Sequence, residues 1–151
     1  MYIRTMNLSE LIQTASGIDH VAIAVKSIDA SLPLYLALGG IGGEREVVAE
    51  QGVFVQTLSF AGSRIELLEP IDDNSPVGKF LNRRGEGLHH IAILVPDIRA
   101  SLAKANEAGF KPLNSEPRLG AEGRLIAFLD PKTTGGVLIE LTQAGATRAR
   151  L

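Results

Sequence analysis

Aliphatic runs of strand length, separated by polar or glycine-containing breaks, recur along the chain. The first run, over residues 18–25, is rich in valine and isoleucine and lies between a glycine and a polar pair, which is typical of a buried strand. The next segment predicts a helix that ends at about Leu38, with Asp29 as its N-cap and Pro33 near its first turn. Three strand-like runs complete this half of the chain, at 44–49, 53–60 and 64–69.

The second half of the chain repeats this order after a connector at 71–86, in which a turn cluster precedes a short helix at 77–84. A helix over 97–108, capped by Asp97 and closed by Gly109, is predicted among strands at 88–95, 110–114, 124–129 and 137–142. We therefore predict an α+β fold with two βαβββ modules, at 17–70 and 87–143, in one domain. Residues 1–16 are assigned to an N-terminal extension and 144–151 to a flexible tail.

The two modules share sequence as well as order. The block Gly17–Val25 returns as Gly87–Val95 at an offset of 70 residues, so that His20 matches His90, and Glu66 has a counterpart in Glu140. A carboxylate on an otherwise apolar strand is costly to bury without a partner, and two imidazoles with a cation would remove that cost. The duplication therefore predicts a metal site on an internal pseudo-twofold axis.

The histidine pair in the second module requires a choice between neighbours. Because side chains alternate between the faces of a strand, His89 and His90 are expected to point in opposite directions. The match with His20 selects His90 as the ligand. The alternative for any one of these residues is an ordinary surface or hydrogen-bonded side chain, and Glu66 alone would suit an edge strand.

The amino-acid composition limits which ligands the protein can bind and which metal ligands it can supply. The chain has 151 residues and a net charge of −2, which excludes a basic surface for nucleic acid. It contains no cysteine, so any metal must bind nitrogen and oxygen ligands, which favours the harder divalent ions. No apolar run has membrane-spanning length and the first sixteen residues do not form a signal sequence, so we expect a cytoplasmic protein without membrane contact.

Several motifs resemble those of one protein family. They are IDHVAIAV at 18–25, EQGV at 50–53, IELLEP at 65–70, NSPVGKFL at 74–81, GEGLHHIA at 85–92 and PKTTGGVLIEL at 131–141. Over residues 17–143 the chain resembles the methylmalonyl-CoA epimerases of the vicinal oxygen chelate superfamily. The resemblance implies a cupped eight-stranded mixed sheet around one divalent ion (cobalt, manganese, magnesium, nickel or zinc), an acyl-CoA substrate and a homodimer.

Carried over by motif position, the family's metal ligands fall on His20, Glu66, His90 and Glu140. Some members place a second base, a glutamate, where this chain has Val55, and those members tend to have glutamine at the position of Glu66. The resemblance thus implies Glu140 as one catalytic base and leaves the other open, with Glu66 as the leading candidate.

The expected reaction is epimerisation at C2 of methylmalonyl-CoA through an enolate, with the two bases on opposite faces. Cationic side chains that could meet CoA phosphates are Arg118 and Lys132, and also Lys79, Arg83 and Arg84. For each of them taken singly, the favoured alternative is an ordinary solvated charge on the surface. Three alternatives share the fold: a glyoxalase-type isomerase of a glutathione hemithioacetal, an extradiol-type dioxygenase and a metal-free binding module. A fourth protein ligand argues against the dioxygenase, which uses two histidines and one carboxylate.

Overall fold

The protein was analysed as a computed structural model that describes residues 15–145. Eight strands and three α-helices follow in the order β1 Gly17–Ala24, α1 Ile28–Ala37, β2 Ile41–Val48, β3 Val53–Phe60, β4 Ser63–Pro70, α2 Pro76–Arg84, β5 Gly87–Leu94, α3 Ile98–Glu107, β6 Arg118–Leu119, β7 Leu125–Leu129 and β8 Ile139–Gln143. Short 3₁₀ turns lie at Ala49–Gln51 and Ala121–Gly123. Apart from residues 15, 16, 144 and 145, the predicted extension and tail lie outside the described residues.

All eight strands form one mixed sheet in the order β2-β3-β4-β1-β5-β8-β7-β6, which curls into a half-barrel. The two first strands of the modules, β1 and β5, pair antiparallel at its centre, and each pairs in parallel with the last strand of its own module. The predicted α+β fold with a cupped eight-stranded mixed sheet is confirmed.

The two halves are built alike down to single hydrogen bonds. In the first half the Glu69 carboxylate accepts a hydrogen bond from the backbone N–H of Ile28 at 2.7 Å, and in the second the Gln143 side-chain oxygen accepts one from Ile98 at 2.8 Å. Each bond satisfies a free N–H at the start of a helix and ties that helix to the last strand of its module. The repeat seen in the sequence is thus a structural duplication.

The helices divide the two faces of the sheet between them. Helix α1 packs on the convex face through a buried cluster that contains Ile28, Leu58 and Leu67, and α3 packs on the same face of the other half. Leu68 alternates with Leu67 and faces the concave side, where it packs with Val77 of α2. The concave side of the cup is therefore partly filled by the connector helix, and the remaining space is a cavity.

Three expectations about local structure are wrong. Helix α1 is capped by Ser27, whose Oγ accepts from the Ala30 N–H at 3.2 Å, and not by Asp29, whose carboxylate pairs with Arg45 instead. Because the helix begins at Ile28, Pro33 is its sixth residue and lies beyond the first turn. The strand expected at 110–114 is reduced to one bridge, from Pro112 to Leu129, and Arg118–Leu119 (β6) pairs with the other end of β7.

Within residues 15–145, no helix combines the length and apolar character needed to cross a membrane. The predicted cytoplasmic location stays a prediction. So does the division of the chain into one domain with an extension and a tail, although β1 begins at Gly17 and β8 ends at Gln143, the two expected limits of the domain.

Candidate metal centre

The register of the four central strands brings the predicted ligands together. One row of paired residues runs from Glu66 on β4 through Ala22 on β1 to His90 on β5. The other row runs from His20 on β1 through Ala92 on β5 to Glu140 on β8. Neighbouring strands lie about 4.8 Å apart. Each histidine is therefore separated from a glutamate of its row by one alanine, whose methyl group leaves room between the two ligand side chains.

The four side chains are buried and converge at one point of the concave face. His20 Nε2 lies 3.2 Å from His90 Nε2, His90 Nε2 lies 3.1 Å from Glu140 Oε2, and His20 Nε2 lies 3.3 Å from Glu66 Oε2. One ligand atom each from His20, His90 and Glu140 falls within a group of mutual distances below 4.8 Å. Glu66 adjoins this group through His20 only, and its other oxygen lies 3.7 Å from Arg64 Nη2.

The expectation that His89 and His90 point in opposite directions is wrong. In the pairing of β1 with β5, His90 lies opposite Ala22 and Leu88 lies opposite Ile23, so His89 is an extra residue in a β-bulge. A bulge interrupts the alternation of faces, and both imidazoles consequently line the concave cavity. Their Nδ1 atoms lie 2.9 Å apart.

One residue of the candidate site that the sequence analysis did not identify is Asp19. It is the extra residue of a second bulge, because Ile18 pairs with Ile93 and His20 with Ala92. Its carboxylate lies 2.8 Å from His20 Nδ1. A signal was available, since the repeated block places a polar residue, Asp19 or His89, directly before each ligand histidine.

Two arginines hold Asp19 in place. Arg124 Nη1 donates to one of its oxygens and Arg64 Nη1 lies 3.4 Å from the other. The carboxylate of Glu122 bridges the two guanidinium groups, at 3.1 Å from Arg64 and 3.4 Å from Arg124. Burial would raise the pKa of Asp19, but its hydrogen bonds with His20 and Arg124 outweigh burial and hold that pKa well below its usual range.

The pKa values of the four candidate ligands are shifted from their usual values. Burial raises the pKa of Glu66 to about 7 and that of Glu140 to about 7, against the opposing charge of His20. Burial lowers the pKa of His90 to about 3, with a further contribution from the charge of His20. Burial also acts to lower the pKa of His20, but its hydrogen bond with Asp19 and the charges of Glu66 and Glu140 outweigh it and raise that pKa. Strongly perturbed groups clustered in a cavity are typical of a functional site.

These shifts predict how stability depends on pH. The carboxyl pKa values of Glu66 and Glu140 are raised in the folded protein, so their contribution to stability is full below the unfolded value of about 4.3 and is lost as pH rises through 7. The raised pKa of His20 acts in the same direction, whereas the lowered pKa values of His89 and His90 act in the opposite direction below their unfolded value of about 6.5. Because the three raised groups outweigh these two, protein treated with a chelator is expected to have a lower melting temperature at about pH 8 than at about pH 6.

A bound divalent cation requires ionised carboxylates, so added Mn²⁺ is expected to raise the melting temperature by several degrees more at the higher pH. Differential scanning calorimetry with and without Mn²⁺ measures both effects. Equal stabilisation by Mn²⁺ at the two pH values would contradict the prediction.

The four candidate ligands lie in a cavity of about 490 Å³. Its walls are largely apolar and include Val55, Val77, Phe80, Phe128 and Leu138. Among the predicted phosphate contacts, Arg118, Arg83 and Arg84 also line it. Lys79 and Lys132 are exposed and do not line the cavity, so the structure does not place them with the other cations.

Val55 and Gln56 lie on opposite faces of β3, and this decides which of them is near the proposed second base. Val55 is buried and lines the cavity. Gln56 alternates to the other face of β3, where its amide donates to the Gly43 carbonyl at 2.6 Å. Gln56 is consequently a structural link to β2, and the neighbouring strand β4 supplies a buried acid, Glu66.

Comparison with known proteins agrees with this geometry. The sequence profile of the Glyoxalase/Bleomycin resistance protein/Dioxygenase superfamily matches residues 19–128. The ethylmalonyl-CoA/methylmalonyl-CoA epimerase of Cereibacter sphaeroides is 39% identical over 129 residues, which are 83% of this chain and 96% of that protein. The chain belongs to the methylmalonyl-CoA epimerase family of this superfamily.

Solved structures of family members extend the likeness to three dimensions. The crystal structure of methylmalonyl-CoA epimerase from Mycobacterium tuberculosis superposes with a TM-score of 0.87 at 31% identity and covers 98% of both chains. A variant of the Streptomyces coelicolor methylmalonyl-CoA epimerase, solved in complex with 2-nitronate-propionyl-CoA, has a TM-score of 0.83 at 40% identity. That match covers 88% of this chain and all of the other. The family resemblance seen in the motifs is confirmed.

Proposed function

We propose that the protein is a metal-dependent epimerase that interconverts the C2 epimers of methylmalonyl-CoA. The observation that carries the proposal is the convergence of His20, His90 and Glu140, with Glu66 beside His20, in an apolar cavity of a chain of the methylmalonyl-CoA epimerase family. The structure of a relative with a propionyl-CoA analogue supports an acyl-CoA ligand for this cavity.

The donor set suits a divalent cation. His20 and His90 direct their Nε2 atoms toward each other at 3.2 Å, which in neutral rings brings two lone pairs together unless a cation or a proton lies between them. With Glu66 and Glu140 the set has a formal charge of −2 and only nitrogen and oxygen donors, as cobalt, manganese, magnesium, nickel and zinc accept. These four residues would hold the ion. When bound, it would supply Lewis-acid stabilisation of negative charge on a substrate oxygen.

Proton transfer falls to the two glutamates. They belong to β4 and β8, the strands on either side of the central β1–β5 pair, and therefore approach the centre from opposite sides. Inversion at C2 requires a proton to be removed from one face of the planar carbanion and delivered to the other. We assign one face to Glu140 and the other to Glu66. A cation would lower the raised pKa of each carboxyl and keep it ionised, ready to accept a proton.

The remaining parts of the cavity suit the rest of the substrate. Its apolar walls, with Val77 and Phe80 on α2, would pack against the acyl chain. Arg83, Arg84 and Arg118 are the cations that would meet the phosphates of CoA. The homodimer implied by the family stays a prediction, which the molar mass measured by light scattering would decide.

The proposal is tested with purified protein loaded with Co²⁺ and given one epimer of methylmalonyl-CoA, with chiral analysis of the product. We expect conversion to the equimolar mixture, and loss of activity with chelator that added Co²⁺ restores. Parallel incubations with methylglyoxal plus glutathione, and with a catechol, Fe(II) and an oxygen electrode, represent the two rival enzymes. Turnover in either, without epimerisation, would overturn the proposal.

A further inference from the structure

The two bulges of the central strand pair occupy equivalent positions in the duplicated modules. Asp19 and His89 are 70 residues apart, each is the unpaired residue of its bulge, and each directs its side chain to the Nδ1 atom of the next residue. We infer that Asp19 and His89 are positioning residues that set the ring orientation and tautomer of the ligand histidines His20 and His90. The inference rests on the proposed metal site.

The contacts around His20 determine which ring nitrogen carries the hydrogen in the neutral imidazole. A carboxylate can only accept hydrogen bonds, so at 2.8 Å from Asp19 the Nδ1 atom of His20 must carry hydrogen. The Nε2 atom, which faces His90 and the two glutamates, then has a free lone pair once the ring is neutral. This is the tautomer that a metal ligand on Nε2 needs, and carboxylates commonly orient ligand histidines in this way.

The arginine pair explains why Asp19 orients a ligand and does not act as one. Both of its oxygens are engaged, one by Arg124 and the other by His20 with Arg64. The two guanidinium groups balance the charges of Asp19 and Glu122, so this network is formally neutral. The charge that remains at the centre is that of Glu66 and Glu140, which matches a divalent ion.

His90 has a neutral partner in the corresponding place. When His90 binds an ion through Nε2, its Nδ1 carries the hydrogen, and His89 Nδ1 at 2.9 Å must accept it. The His89 ring is held by edge contact with Phe80, at 4.8 Å between centroids. The pseudo-twofold site is therefore asymmetric, because one histidine is oriented by an anion and the other by a neutral imidazole.

The first test replaces Asp19 by asparagine, which keeps the shape of the side chain but has one acceptor oxygen, so it cannot offer an acceptor to both Arg124 and His20 Nδ1. We expect the Asp19→Asn variant to bind Co²⁺ about 10- to 100-fold more weakly than the unmodified protein in isothermal titration calorimetry. The visible d–d absorption of bound Co²⁺ is expected to shift, because the ring orientation of one ligand changes. The matched control is Asp29→Asn, an exposed aspartate that pairs with Arg45 outside the site, for which no change is expected.

The second test separates orientation from packing at His89. His89→Phe keeps a ring against Phe80 but removes the acceptor, and we expect about tenfold weaker Co²⁺ binding. His89→Gln keeps an acceptor, and we expect affinity within about threefold of the unmodified protein.

The possible outcomes distinguish the positioning roles of Asp19 and His89 from the proposed function. Unchanged Co²⁺ affinity and absorption in both Asp19→Asn and His89→Phe would overturn the inference and leave the proposed function standing, provided that the unmodified protein binds Co²⁺ and epimerises its substrate. Equal losses in His89→Phe and His89→Gln would show that packing, and not the hydrogen bond, orients His90. Failure of the unmodified protein to bind Co²⁺ would overturn both claims.

Discussion

The Glu140→Gln variant is expected to lose interconversion of the methylmalonyl-CoA epimers by about 10³-fold, within the range that a general base supplies. It is not expected to lose every reaction at C2. Glu66 can still remove the proton that faces it and return a deuteron to the same face, so one epimer should exchange its C2 hydrogen with D₂O without inversion. The other epimer, whose proton faces Glu140, should neither exchange nor invert. Proton NMR of each epimer in D₂O measures this directly.

The decisive comparison is with Glu66→Gln, which should show the mirror pattern: exchange without inversion in the opposite epimer. Because both residues are also candidate ligands, the variants are compared at saturating Co²⁺, with bound metal measured in each. Glutamine keeps an oxygen ligand, so partial metal binding is expected to survive. If Glu66→Gln still exchanges and inverts both epimers at the unmodified rate, Glu66 is not the second base.

Moving a carboxylate from β4 to β3 is expected to rescue the Glu66→Gln variant. Thr57 pairs with Glu66 and Val55 pairs with Leu68, so Val55 is a diagonal neighbour of Glu66 across the two strands. The side chain of Val55 also lines the cavity. We expect the double variant Val55→Glu/Glu66→Gln to recover at least about tenfold of the epimerisation rate that Glu66→Gln alone loses. Chiral analysis of the product at saturating Co²⁺ gives the two rates.

The adjacent position provides the matched control. Phe54 is on the same strand, but it alternates to the convex face and packs in the α1 cluster. A carboxylate there cannot reach the cavity, so Phe54→Glu/Glu66→Gln should remain as slow as Glu66→Gln. Rescue by both double variants would contradict the prediction that the second base can be supplied from either β3 or β4. Rescue by neither variant, with the fold and the metal content intact, would also contradict it.

Much of the candidate site was predictable from the sequence because the duplication places the same residue type at equivalent positions of two modules. A single histidine at the start of a strand carries little information, but His20 and His90 begin the same strand in two copies. Glu66 and Glu140 repeat at the last strand of each copy. Since equivalent strands of equivalent modules pair symmetrically, the convergence of these four residues follows from the repeat.

Two errors concern local structure. The N-cap of α1 is Ser27 and not Asp29, although Ser27 is the counterpart of Asp97, the N-cap of α3, at the repeat offset of 70 residues. The repeat therefore indicated the correct cap. The strand predicted at 110–114 forms only the bridge from Pro112 to Leu129, and Arg118–Leu119 pairs with the other end of β7 instead. Local pattern does not show which segment pairs with β7.

The sequence by itself determined the fold class, the duplication and which four residues converge, since strand periodicity and the repeat can be recognised without knowing which strands pair. Only the tertiary structure decided what surrounds these four residues. The bulges that direct Asp19 and His89 into the cup exist because β1 and β5, about 70 residues apart, pair out of step at two points. Arg64 and Arg124 belong to different modules but both contact Asp19, and no local pattern encodes that contact because it depends on how the two modules pack together.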